Sequence, residues 1–202
     1  SKFYDIIISS NDAKIFDKYN SKKKILWLHN KLQLEKAIRK NQLLPILKNK
    51  IYAVFVSKYL DSITSKFYNF KKRLIIPNFL DKNFENIKIN YNRKPIIIWS
   101  VSREMGLKET LSIWCKYIHK KHPKAEFHIF GTKKYNKLNY NKNNIYFHGR
   151  VPKQTLIKYY KNSIASICLG FDETFCLNAI ESMSCGVPVL SFKKTALISL
   201  IK

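Results

Sequence analysis

Two glutamates bracket an apolar run in the last quarter of the chain. Glu173 and Glu181 stand eight positions apart, and residues 174–180 between them are almost wholly apolar. A carboxylate accepts two hydrogen bonds from a vicinal diol, as acidic residues do when they hold a ribose in Rossmann-type sites. The pair therefore favours a site that reads sugar hydroxyls. A capping Glu173 and a solvent-facing Glu181 on an amphipathic helix would give the same spacing, and spacing alone does not separate the two.

The segments around the glutamates predict a strand that feeds directly into a helix. Residues 164–169 form a short apolar run, and residues 175–185 carry an apolar stripe of helical period. Asp172 and Thr174 are residue types that cap helix starts, and Gly186 is typical of a helix end. We therefore expect the glutamates to flank the first turns of a helix at the carboxyl end of a strand.

That position is suited to an anion. Ligands of open α/β sheets sit at the carboxyl ends of the strands, where unpaired backbone N–H groups and the helix dipole favour phosphate. Two carboxylates would repel a phosphate unless they were directed at neutral hydroxyls. An anion seat between two diol-binding carboxylates describes a nucleotide-sugar site.

The composition is strongly basic. The 202 residues carry a formal net charge of +25, with 38 basic against 13 acidic residues, and all but five of the basic residues are lysine. Lysines spread along the chain are typical of a solvated surface, while arginine is the usual reader of base edges. The lysines show no aromatic interleaving and no recognised nucleic-acid motif, so no specific nucleic acid is predicted. Peripheral contact with an anionic membrane surface remains a prediction.

Cysteines and histidines show no metal-ligand spacing. The four cysteines stand at positions 115, 168, 176 and 185, without a C-x-x-C pair, and the five histidines are scattered. The cysteines are expected to be small buried hydrophobes in a reducing, cytoplasmic setting. No metal and no cofactor are predicted. The longest apolar runs are also too short to cross a membrane.

Short apolar runs alternate with segments of helical period, which predicts an α/β fold with parallel, doubly wound sheets. The predicted strands are residues 4–9, 24–28, 51–56, 74–76, 95–101, 126–130, 144–147, 164–169 and 187–191. The predicted helices are residues 32–47, which Pro45 should end or kink, 58–70, 107–121, 153–161 and 175–185. The Asn- and Lys-rich segment 77–94 lacks periodicity, so we expect two domains, residues 1–90 with the linker and residues 91–202.

A longer motif raises the specificity of this interpretation. The pattern E-x-F-x-L-x-x-x-E-x-M-x-C-G-x-P-V falls on Glu173, Phe175, Leu177, Glu181, Met183, Cys185, Gly186, Pro188 and Val189. It closely resembles the donor-site motif of family-four retaining glycosyltransferases of the GT-B fold, also grouped as glycosyl transferases group 1. Further segments resemble that family in the expected order, namely residues 28–30, 54–57, 75–78, 99–107, 123–131 and 145–152.

The resemblance implies a fold and a division of labour. It implies two Rossmann-like domains, an acceptor-side domain in residues 1–90 and a donor-binding domain in residues 91–202, both expected to be incomplete in this chain. The family's first strand and acceptor loop would precede Ser1, and its closing helix would follow Lys202.

The resemblance also implies roles for individual residues. Glu173 would contact the transferred sugar, and Glu181 would hold the ribose. Backbone N–H groups at the helix start would face the diphosphate, and the base would lie near the end of a strand. The residues implied for diphosphate binding are Thr174, Phe175, Cys176 and Leu177, and those implied for base binding are Arg150 and Val151.

Three further residues complete the implied catalytic set. Arg103 would bind the diphosphate and offset charge on the leaving group. Lys108 stands where a partner lysine is sometimes found, although the family's usual lysine position is occupied by Met105. His29 resembles an acceptor-domain histidine that approaches the sugar. The chain also departs from the family at Thr174 and Cys176, where glycines are usual.

The sequence thus predicts a metal-independent hexosyltransferase that moves a sugar from a UDP- or GDP-linked donor to a glycan or lipid-linked acceptor with retention. No D-x-D motif occurs, which disfavours the metal-dependent design. Three alternatives stay open. They are a nucleotide-sugar epimerase of the same fold, a truncated chain that binds nucleotide without catalysis, and a basic nucleic-acid-binding module.

Overall fold

The computed structural model describes residues 2–101, 106–132, 140–170 and 172–201. The chain divides into two compact units, Ser1–Asn78 and Phe79–Lys202. This division falls earlier than the expected boundary at residue 90. Phe84 accounts for the difference, because it is fully buried and packs with Tyr160 of the second unit.

The first unit is a four-stranded parallel sheet with short helices. Its strands lie in the order β1-β2-β3-β4, and every neighbouring pair is parallel. In chain order its elements are β1 (Phe3–Ser10), α1 (Ile15–Lys18), β2 (Asn20–Leu28), α2 (Leu34–Arg39), α3 (Leu43–Lys48), β3 (Ile51–Phe55), α4 (Lys58–Ile63), a 3-10 turn (Lys66–Tyr68) and β4 (Lys72–Ile75).

The predicted helix 32–47 is wrong as a single element. It is two helices, α2 and α3, and the break lies at Asn41, which adopts a φ of 53°. Asparagine is one of the few side chains that tolerate this left-handed conformation. Pro45 does not cause the break, because it lies in the first turn of α3, where a missing N–H costs little.

The second unit is a five-stranded parallel sheet in the order β7-β6-β5-β8-β9. Its elements are a 3-10 turn (Lys82–Phe84), β5 (Ile96–Trp99), α5 (Leu107–Ile113), a π-helical segment (Trp114–Ile118), α6 (His119–Lys121), β6 (Glu126–Phe130), a 3-10 turn (Tyr140–Asn143), β7 (Ile145–Gly149), α7 (Lys153–Asn162), β8 (Ala165–Cys168), α8 (Leu177–Ser184), β9 (Val189–Ser191) and α9 (Leu197–Leu200).

Two apolar clusters cover the two faces of this sheet. Ile96 and Ile98 of β5 pack with α7 residues such as Leu156 on one face. Trp99 of β5 packs with Trp114 and Phe127 on the other. A strand that is covered on both faces has a continuous apolar sequence. The apolar sequence of β5 therefore predicted correctly that helices cover both faces of this strand. The α/β class with Rossmann-like parallel sheets is therefore confirmed.

Candidate functional site

The carboxyl ends of all five strands of the second sheet lie at one edge, because every neighbouring pair is parallel. From β5 the chain adds β6 and β7 on one side, then returns to place β8 and β9 on the other. In open α/β sheets, ligands occupy the crevice where the strand order reverses in this way. The segments that follow β5 and β8 therefore flank the candidate site.

Glu173 lies in the loop between β8 and α8, with its side chain folded over Gly170. A Cβ atom added to Gly170 would clash with Glu173 Cγ and lie 2.6 Å from Oε1. The Glu173 carbonyl accepts a hydrogen bond from the Ala196 N–H at 3.2 Å. The missing side chain at Gly170 thus leaves room for this half-buried carboxylate beside the end of β8.

Helix α8 begins at Leu177, two residues later than the sequence predicts. Its N-cap residue is Cys176 rather than Asp172 or Thr174, and the Cys176 side chain makes no capping hydrogen bond. Phe175 and Cys176 are buried in the loop before the helix. Backbone N–H groups in the first turn of an α-helix lack the partners that later turns have, so the start of α8 is a position that suits an anion.

Cys176 adopts a left-handed backbone conformation, with φ of 69° and ψ of 73°. The contact of Cys176 with the Cys168 thiol and its burial both raise the pKa of the Cys176 thiol, with the Cys168 contact the larger cause. The thiol is therefore neutral at physiological pH. It adds no negative charge at the start of α8, where a phosphate would sit.

Glu181 lies within α8 and is buried, with 2% of its surface exposed. The solvent-facing alternative for this residue is therefore wrong. Its Oε1 pairs with the Lys153 ammonium. Its Oε2 is buried and finds no hydrogen-bond partner in the described part of the chain. A buried carboxylate oxygen without a partner is costly, and such an oxygen is suited to accept a hydrogen bond from a ligand hydroxyl.

Three polar side chains, of which Ser100 and Tyr160 are buried and Asn178 half-buried, fix α8 against the sheet. The Ser100 and Tyr160 hydroxyls are 2.6 Å apart, and the Asn178 amide donates to the Ser100 carbonyl at 2.7 Å. Tyr160 is fully buried, and that burial raises the pKa of its phenol well above its usual value. This network joins the end of β5, helix α7 and the first turn of α8, so it positions the helix that carries Glu181.

Arg93 contacts the carboxyl-terminal ends of the same two helices. Its guanidinium donates to the Ser163 carbonyl at 2.7 Å, just past α7, and to the Cys185 carbonyl at 3.1 Å, just past α8. Gly186 follows with a φ of 72°, and its N–H donates to the Met183 carbonyl. The cation thus satisfies carbonyls at two helix ends, where the dipole favours positive charge.

Comparisons with known proteins identify the family. The sequence profile of the family described as glycosyl transferases group 1 matches residues 81–202, which is more than half of the chain. The chain belongs to the glycosyl transferases group 1 family. No curated protein sequence matches the chain at a significant level.

Solved structures show that the chain has the GT-B fold of this family. Staphylococcus aureus TarM, solved as a point mutant with fondaparinux, α-GlcNAc-glycerol and UDP, is similar at 17% identity and a TM-score of 0.74, over 98% of this chain and 43% of its own. Sucrose-phosphate synthase of Thermosynechococcus elongatus is similar at 15% identity and a TM-score of 0.66, over 93% of this chain and 56% of its own.

A trehalose-6-phosphate synthase, solved in work on glycosyl transfer with retention, is similar at 13% identity and a TM-score of 0.65. That similarity extends over 92% of this chain and 57% of the synthase. The chain thus spans about half the length of the GT-B proteins that it resembles.

The remaining residues predicted for this group 1 site lie at three places. Arg150 is exposed and Val151 half-buried just after β7, while Lys108 is exposed in the first turn of α5. His29 belongs to the first unit, where its ring stacks on Trp27 with 5.5 Å between centroids. Arg103 and Met105 lie outside the described residues.

The sequence analysis missed Lys153, Arg93 and Tyr160. Lys153 left one usable signal, because it is the first residue of α7 and a cation is unfavourable at a helix N-terminus. A lysine at this position therefore predicts an acidic partner nearby. Arg93 and Tyr160 left no local signal, since their partners are distant along the chain.

The described ranges contain no cluster of three or more His, Cys, Asp or Glu side chains that could hold a metal ion. Within the same ranges, no helix combines the length and the apolar character that crossing a bilayer requires.

Proposed function

We propose that this chain carries the donor site of a glycosyltransferase that moves a sugar from a nucleotide diphosphate sugar to a glycan or lipid-linked acceptor. Membership of the glycosyl transferases group 1 family supports transfer from a nucleotide sugar. The similar TarM structure contains UDP, which favours UDP over GDP as the first nucleotide to test.

The observation that carries this proposal is the buried Glu181 carboxylate with its unpartnered Oε2. It lies on a helix that begins at the ligand-binding edge of the sheet, and the side chain of the N-cap residue Cys176 makes no capping hydrogen bond. A ribose hydroxyl would give Oε2 the hydrogen bond that it lacks. The diphosphate would then lie toward the start of α8, at the N–H groups of Leu177 and its neighbours, and the base toward Arg150 and Val151.

The remaining sugar contact is assigned to Glu173, whose position over Gly170 keeps its carboxylate beside the same helix start. Arg103 and Lys108 are proposed to bind the diphosphate, by resemblance to the family. His29 is proposed to approach the sugar from the acceptor side. Protein cations and helix N–H groups would then offset the charge of the leaving group, without a metal ion.

The proposed reaction retains the anomeric configuration by displacement on the front face. The bond from C1 of the sugar to the phosphate oxygen breaks, and the electron pair stays with the nucleoside diphosphate. The acceptor oxygen forms the new bond to C1 on the same face, and its proton passes to the departing phosphate oxygen. The lysine-rich surface would attract the protein to an anionic membrane, which favours a lipid-linked acceptor.

Proton NMR on the purified chain tests this reaction. We expect UDP-N-acetylglucosamine to be hydrolysed slowly to UDP and N-acetylglucosamine, with the α configuration visible before the sugar mutarotates. The rate should not change when EDTA is added. Inversion at C2 would show an epimerase, a β product would exclude retention, and loss of the activity in EDTA would exclude a metal-independent reaction.

A further inference from the structure

Lys153 and Glu181 form an ion pair that the donor-site assignment does not use. The Lys153 ammonium contacts Glu181 Oε1. The Glu181 side chain is 3% exposed, while that of Lys153 is 42% exposed. One partner is therefore sealed inside the second unit, and the other lies at its surface.

The burial of the Glu181 carboxylate restricts how a ligand can reach it. Oε2 is buried to the point that it contacts no solvent. A ribose hydroxyl can reach this carboxylate only if a covering side chain moves. Lys153 is the partly exposed member of the pair, and its long, flexible side chain can swing into water at little cost.

Lys153 is poorly placed to stabilise its own helix. It is the first residue of α7, where its charge opposes the helix dipole. Its ammonium lies 5.2 Å from the centre of the Phe84 ring, in addition to its contact with Glu181. The Lys153 ammonium is thus held by two contacts, one with the Phe84 ring and one with the Glu181 carboxylate. Neither contact stabilises the start of α7.

We propose that Lys153 sets the affinity of the donor site for ribose, because it covers Glu181 and a ribose diol binds only by displacing it. This inference rests on the proposed function. Nucleotide binding exchanges one ion pair for hydrogen bonds from the ribose hydroxyls to the same carboxylate. Part of the binding free energy is spent on that exchange, so removal of the lysine should tighten the binding of nucleotides that carry the hydroxyls.

Calorimetric titration of five proteins with two nucleotides tests this exchange. The proteins are the wild type, Lys153→Met, Lys153→Gln, Lys153→Arg and Lys158→Met, and the nucleotides are UDP and 2′,3′-dideoxy-UDP. Lys158 is an exposed lysine on the same helix, so its replacement controls for the loss of one positive charge. Lys153→Gln serves as a second neutral variant, and thermal melting confirms that each protein is folded.

Lys153→Met is expected to bind UDP about tenfold more tightly than Lys158→Met does, because the carboxylate no longer has to be freed. Both variants should bind dideoxy-UDP equally, and Lys153→Arg should bind UDP like the wild type. If Lys153→Met binds UDP no more tightly than Lys158→Met does, the inference is wrong. It is also wrong if Lys153→Met binds UDP and dideoxy-UDP more tightly by the same factor. If the wild type binds neither UDP nor GDP, the proposed function fails and the inference falls with it.

Discussion

Position 176 shows how one residue can depart from a family pattern and keep its geometry. The resemblance places a glycine there, and the structure shows why, since the residue before α8 has a φ of 69°. Cysteine adopts this conformation at a cost of about 1–2 kcal/mol, which its burial against Cys168 helps to offset. The sequence alone marked the position as unusual but could not give its backbone angle.

We expect Cys176→Gly to be more stable than Cys176→Ala by about 0.5–1 kcal/mol, since alanine keeps the unfavourable φ and glycine does not. Urea unfolding of the two variants measures the difference. Ala179 gives a matched control within α8, where Ala179→Gly should be destabilising by about 1 kcal/mol. Equal stability of the two variants at position 176 would show that the left-handed conformation is not strained.

Glu181 is the residue for which sequence reasoning left the widest choice. The same spacing suited a solvent-facing carboxylate and a ligand-binding one. Burial decided between them, and the partner of the buried carboxylate is Lys153 of α7, which lies 28 positions earlier in the chain. A pattern along one helix cannot report a contact made by another element.

At the scale of elements, periodicity located the strands and helices but not their ends. All nine predicted strands are present, and β6 has the predicted bounds. The π-helical segment Trp114–Ile118 lies inside the predicted helix 107–121, where nothing in the apolar pattern marks it. Helix α8 starts late because Phe175 and Cys176 are buried in the loop, although they continue the apolar stripe.

Arg93 is expected to stabilise the placement of α7 and α8 together. Arg93→Met removes donors from the Ser163 and Cys185 carbonyls, so unfolding free energy should fall by about 2–3 kcal/mol. Urea unfolding followed by tryptophan fluorescence, to which Trp99 and Trp114 of the second unit contribute, measures this change. Arg39→Met, at an exposed position on α2, should change stability by less than about 0.5 kcal/mol. Similar losses in both variants would contradict the anchoring role.

At the scale of the whole molecule, the sequence predicted the GT-B fold because parallel strands buried on both faces leave a readable apolar signature and because the donor motif is specific. The boundary between the units was harder to place. Residues 79–90 lack periodicity, yet Phe84 packs into the second unit through contacts that sequence composition does not reveal.

The formal charge of +25 belongs to this scale as well. It raises the local concentration of any anion and therefore supports phosphate binding without specifying it. Specificity must come from the few groups at the sheet edge. A nucleotide that binds through charge alone would be insensitive to Glu181, and one that binds as proposed would not.

Calorimetric titration of UDP into the wild type, Glu181→Gln and Glu85→Gln tests the central claim most directly. Glu85 is an exposed carboxylate of the second unit, so its replacement matches the change in charge. We predict that the wild type and Glu85→Gln bind UDP alike, and that Glu181→Gln binds at least about tenfold more weakly, because the ribose loses its charged acceptor. Equal affinity of Glu181→Gln and Glu85→Gln for UDP would contradict the assignment of this helix as the donor site.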